Sequence, residues 1–68
     1  MKLEIFSKRQ LEVMHLLCDG KTVVEIAAIL GISSRMVDVH IRSAQKKILA
    51  RTREQAVFKF AQLLNLAS

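Results

Sequence analysis

Apolar residues fall along this 68-residue chain in four groups, each introduced by a serine or threonine. In the first, Leu11, Val13, Met14, Leu16, Leu17 and Cys18 fill one broad side at about 100° per residue. Lys8, Glu12, His15 and Asp19 take the other side, the distribution of a helix covering a core. Ser7 and Gln10 form a capping box, Phe6 and Leu11 are placed as a hydrophobic staple, and Gly20 supplies a left-handed stop. This predicts a helix over about residues 7–19. Thr22 with Glu25 repeats the capping signature, and Gly31 closes a segment so apolar that it is expected to be largely buried, giving a helix over 22–30. The third helix starts at Ser33 or Ser34 and carries Val37, Ile41, Ala44 and Ile48 as one stripe, over 33–49. Thr52 with Gln55 opens the fourth, over 52–66, with Ala56, Val57, Phe60, Ala61 and Leu64 as its apolar arc. Residues 1–5 read as a linker or frayed end, and 6–68 as one all-α domain.

The second and third helices are separated by so tight a turn, with Gly31 in it, that they must cross steeply, which is the helix-turn-helix arrangement. Ile26, Ala27, Leu30, Ile32 and Val37 sit where the two would meet. In such a pair the second helix lies in the major groove of DNA. Arg35, Asp38, Val39 and Arg42 share the side of the third helix opposite its apolar stripe, with Gln45 and Lys46 further along. Arg42, Asp38 and Val39 offer a donor for guanine, an acceptor for cytosine and an apolar contact for the thymine methyl. The charges are also compatible with an ordinary solvated face. Asp38 is out of place beside phosphates. Three readings stand open: it accepts from a cytosine amino group, it holds Arg42, four residues on, in a set rotamer, or it forms a plain surface ion pair.

Composition agrees with this outline. The chain is 51% hydrophobic, with no Pro and two Gly, which favours helices joined by short turns. Its formal charge of +5, from 11 Lys and Arg against 6 Asp and Glu, suits a polyanionic partner such as nucleic acid or an anionic membrane. Between residues 35 and 53 the cations Arg35, Arg42, Lys46, Lys47, Arg51 and Arg53 are opposed only by Asp38. The lone Cys18 excludes an internal disulfide and a cysteine-rich zinc site; it reads as a core thiol in a reducing, cytoplasmic setting. No apolar run approaches the ~20 residues of a membrane span, and the start is too short and charged for a signal peptide. No His, Cys and carboxylate set has metal-ligand or triad spacing, so neither a metal, a cofactor nor enzyme activity is expected. His15 reads as a surface residue, while His40 either touches a phosphate or packs beside the first helix. Phe58 and Leu66 lie outside the apolar arc of the fourth helix, which suggests a partner surface.

Taken in order, Arg9-Gln10-Leu11-Glu12-Val13-Met14, Gly20-Lys21-Thr22, Glu25-Ile26-Ala27, Leu30-Gly31-Ile32-Ser33, Val37 with His40, Lys46-Lys47, and Arg53 to Ala56 resemble the LuxR-type helix-turn-helix family over roughly residues 6–66. The Phe6-Ser7-Lys8-Arg9 opening and the run from Lys46 to Ala50 look more like its autoinducer-binding (quorum-sensing) branch. The resemblance implies a four-helix domain that dimerises partly through its last helix, here Phe58, Ala61 and Leu64. It implies base contacts from Asp38, Val39 and Arg42, with Arg35 beside them, and phosphate contacts near Lys21, Thr22, Ser33, Ser34, Arg35, Lys46 and Lys47. Met36 and Asp38 depart from the family, which often has Thr, and Lys, Arg or Asn, at those positions. The implied function is sequence-specific binding of double-stranded DNA by a weak homodimer. The domain would be the output part of a bacterial transcription regulator whose N-terminal sensor domain is absent here. A protein-interaction module of the same fold, dimerising or sequestering a longer regulator, is the alternative, and Asp38 and Met36 favour it. A promoter-binding sigma-factor region is a third reading, against which His40 and the fourth helix weigh.

Overall fold

The computed structural model describes residues 3–67, without the side chain of the last. A 3-10 turn over Leu3–Ile5 leads into α1 (Lys8–Cys18), α2 (Val23–Leu30), α3 (Ser34–Lys47) and α4 (Arg53–Ala67). Each start is set by the hydroxyl residue expected there. Ser7, Thr22, Ser33 and Thr52 accept from the backbone amides of Gln10, Glu25, Met36 and Gln55 at 3.0–3.2 Å. In the first two the partner side chain answers, as a capping box requires. In the fourth, Gln55 reaches one residue further back, to the amide of Arg51.

The ends of α1 and α3 are built alike. Gly20 (φ +89°) follows α1, and the amides of Gly20 and Lys21 return to the carbonyls of Leu17 and Leu16. After α3 the amides of Leu49 and Ala50 return to Lys46 and Gln45 in the same way. Both are Schellman closures, but Leu49 (φ +56°) occupies the left-handed position that glycine usually fills. The ammonium of Lys59 donates to the carbonyls of Ile48 and Leu49 at 3.2 and 3.1 Å, satisfying two acceptors exposed by that ending.

Two buried clusters hold the helices together. Val13 of α1, Ile26 and Ala27 of α2, and Val37 and Ile41 of α3 form one. Met14 of α1, Ala44 of α3, Ala56 and Phe60 of α4, and Phe6 form the other. Phe60 is fully buried, with the ring of Phe6 edge-on to it at 5.5 Å and that of His15 at 5.4 Å. His15 is exposed as expected, yet one side of its ring covers the core.

Two expectations change. α2 is not largely buried: only Ile26 and Ala27 are enclosed, while Val24 is 70% and Ile29 55% exposed. It packs on α1 and α3 along a single stripe, so the residues between the stripe positions face outward however apolar they are. The stretch expected to be a linker is in part structured, because the amide of Phe6 closes the 3-10 turn on Leu3, which packs against the α4 cluster. Met1 and Lys2 lie outside the described residues.

Candidate nucleic-acid interface

Three residues, Gly31, Ile32 and Ser33, join α2 to α3. Gly31 (φ +68°) turns the chain, Ile32 packs into the α2 cluster, and Ser33 caps α3. The inward stripe Val37, Ile41 and Ala44 is fully buried. Helical periodicity then forces Arg35, Val39, Arg42 and Lys46 outward, and all four are exposed. Among the described residues, the side chains of Arg35, Arg42 and Lys46 make no hydrogen bond or ion pair. Three cations and one valine thus share the outer side of a rigid helix.

The other candidate residues divide around this face. Asp38 sits on the flank toward α4. Its Oδ1 accepts from Arg53 Nη2 at 2.5 Å. This corrects the expectation of a pair with Arg42. Arg53 is the first residue of α4 and reaches the flank, whereas Arg42 remains exposed to solvent. Both partners are about 40% exposed, so the pair adds only ~0.2–1 kcal/mol to stability.

Lys47 sits on the opposite flank, toward α1, where its ammonium donates to Gln10 Oε1 at 2.7 Å. Gln10 is buried. The same oxygen accepts from the Ser7 amide at 3.0 Å, and its Nε2 donates to Ser43 Oγ at 2.9 Å. The cap of α1 is thereby tied to the second half of α3.

Lys21 and Thr22 stand exposed at the start of α2, and Ser33 and Ser34 at the start of α3. The Thr22 and Ser33 oxygens accept cap bonds, which leaves each hydroxyl hydrogen able to donate. Glu25 is held below its ordinary value, chiefly by the Thr22 amide that donates to it, with the Thr22 hydroxyl and the Lys21 charge adding. His40 is half-buried.

Of the residues expected at a dimer contact, Phe58 and Ala61 are exposed. Leu64 is not: four residues after Phe60, it shares that residue's side of α4 and packs against the core. Cys18 is half-buried beside the α4 cluster, and burial, with the Asp19 charge, pushes its thiol up. That makes it a poor thiolate. No helix of the described residues is long and apolar enough to cross a membrane.

Gln10 and Arg53 are the residues that sequence reasoning missed. Gln10 had a signal: with Val13, Met14 and Leu17 it completes an apolar stripe, and a polar side chain in such a stripe needs partners. Arg53 had none, because its partner is 15 residues away across a turn.

A short turn joining two helices packed on one buried cluster, the second presenting cations on its outer side, defines a helix-turn-helix protein. Residues 4–60 match the family described as bacterial regulatory proteins, luxR family, and the chain belongs to that family. It is 38% identical over 58 residues to the nitrate/nitrite response regulator protein NarP of Escherichia coli (strain K12), covering 85% of this chain and 27% of that one. To the regulatory protein SdiA of the same organism it is 46% identical over 50 residues, 74% of this chain and 21% of that one. To the spore germination protein GerE of Bacillus subtilis (strain 168) it is 39% identical over 59 residues, 87% of this chain and 80% of that one. The chain spans about a quarter of NarP and a fifth of SdiA. Membership makes it a helix-turn-helix domain of the transcription-regulator kind, whose work is DNA binding.

Proposed function

We propose that the domain binds double-stranded DNA sequence-specifically, with α3 in the major groove, as the output domain of a bacterial transcription regulator. One observation carries the reading: Arg35, Val39, Arg42 and Lys46 are exposed on one face of a helix whose other face is locked into two buried clusters. Arg42 reads guanine and Val39 meets a thymine methyl. Arg35 and Lys46 extend the cationic face, and Lys21, Thr22, Ser33 and Ser34 donate to phosphates at the starts of α2 and α3. Lys47 spends one of its three donors on Gln10 and meets the backbone from the flank. The exposed Phe58 and Ala61 support weak pairing of two copies through α4, and so a two-fold site with half-sites about one helical turn apart.

Selection of bound duplexes from a random pool, followed by titration of the chosen site at several salt concentrations, tests this. The expected result is a two-fold site whose log affinity falls linearly with log salt, with a slope of about 0.9 per phosphate neutralised. Arg42→Ala should relax preference at one base and Lys46→Ala should weaken every sequence alike. A tight self-associating species with no salt-dependent duplex binding would overturn the reading in favour of a protein-interaction module.

A further inference from the structure

The acid on the flank of the reading helix is held from outside that helix. Asp38 Oδ1 accepts from Arg53 Nη2 at 2.5 Å, and Arg53 belongs to α4. The geometry points to Arg53 as a positioning residue for DNA specificity: by gripping one carboxylate oxygen of Asp38 it aims the other at an exocyclic amino group in the major groove. The inference rests on the proposed reading of α3.

A carboxylate alone beside phosphates is repelled, and a free aspartate samples several rotamers. Arg53 answers both difficulties. Its guanidinium cancels the charge of Asp38, so the flank adds no net repulsion. It also fixes the carboxylate, because Arg53 is anchored at the start of α4, one turn before the buried Ala56. Oδ2 has no partner among the described residues, and the pair is about 40% exposed on each side, so a base edge can reach it. A carboxylate oxygen only accepts, and the major-groove donors are the amino groups of cytosine and adenine. Neighbouring Arg42 already serves guanine. On the partner strand of that base pair stands cytosine, and its amino group is the donor assigned to Asp38.

The test compares the chain with Arg53→Met, Arg53→Lys, Asp38→Asn and the double variant Arg53→Met/Asp38→Asn, on the selected site and on sites changed at each base. Urea unfolding of each variant verifies that it is folded. For the unaltered chain we expect a preference for cytosine at one position, about tenfold, the size of one base contact. Arg53→Met should flatten that preference while leaving those at other positions. Arg53→Lys should recover overall affinity but not the preference, since lysine keeps the charge without the fork. With Asp38→Asn already in place, Arg53→Met should change little. If Arg53→Met weakens all sites equally, whichever residue stands at 38, then Arg53 is a phosphate contact and the inference falls while the DNA reading stands. If the unaltered chain selects no site, both fall.

Discussion

Replacing Gln10 with alanine should destabilise the domain by about 2 kcal/mol. Three hydrogen bonds end on this side chain: from the Ser7 amide, from Lys47 and to Ser43. Bonds of this kind contribute ~0.5–1.5 kcal/mol each. Ser7 and Lys47 are exposed and rehydrate when the partner is lost, so their share lies at the low end. Ser43 is half-buried and recovers less. Removing the one enclosed methylene, Cγ, costs ~0.8 kcal/mol at most. Against ~3–10 kcal/mol expected for 68 residues, a loss of about 2 is large. It corresponds to ~8–16 °C in melting temperature. Gln10→Glu is the control. It keeps the cap, faces Lys47 as a carboxylate, and lets the Ser43 hydroxyl turn round to donate, so it should stay within ~0.5 kcal/mol of the parent. Urea unfolding followed by circular dichroism measures both, with the denaturant slope expected to be unchanged. A cost below ~0.5 kcal/mol for alanine, or a glutamate variant as unstable as the alanine one, would refute the argument.

Other outcomes follow from the same packing. Phe60→Ala removes the largest fully buried side chain and should cost ~3–5 kcal/mol, enough to abolish a cooperative thermal transition; a sharp melt near the parent temperature would count against the packing described. Leu49→Gly should raise stability by ~0.5–1 kcal/mol, because Leu49 is left-handed and 83% exposed, so glycine relieves strain and loses no core contact; a lower urea midpoint would contradict this. Glu25, whose folded value lies below the ordinary 4.5, supports folding above that value and ceases to do so as pH falls through the folded one. Glu25→Gln keeps an acceptor for the Thr22 amide without the charge, so its stability should vary less over roughly pH 5 to 3; identical acid profiles for the two proteins would dispose of the point.

The helix starts were legible because each rests on residues three apart in the chain, and all four caps formed where Ser7, Thr22, Ser33 and Thr52 stand. The outward face of α3 was legible for the same reason: once Val37, Ile41 and Ala44 point in, periodicity settles where Arg35, Val39, Arg42 and Lys46 go. Burial of α2 was not legible, because hydrophobicity says what prefers to be covered and not whether a neighbour is there to cover it. Val24 and Ile29 lie beyond the reach of α1 and α3. The ties from Asp38 to Arg53 and from Lys47 to Gln10 were hidden too, since each joins residues distant in the chain that only tertiary packing brings together. The placement of Leu64 turned on which side of the wide arc of α4 meets the core, and a single helix pattern does not choose between two edges of an arc.

The two buried clusters share α1 and α3 but divide the outer helices: α2 enters only one, α4 only the other. Changes that accumulate in α4 are therefore absorbed around Phe60, without disturbing the spacing of α2 against α3. A lineage built on this plan is free to remodel α4 beyond Arg53 while the packing of α2 on α3 stays the same, or to retune α2 while the surroundings of Phe60 are kept.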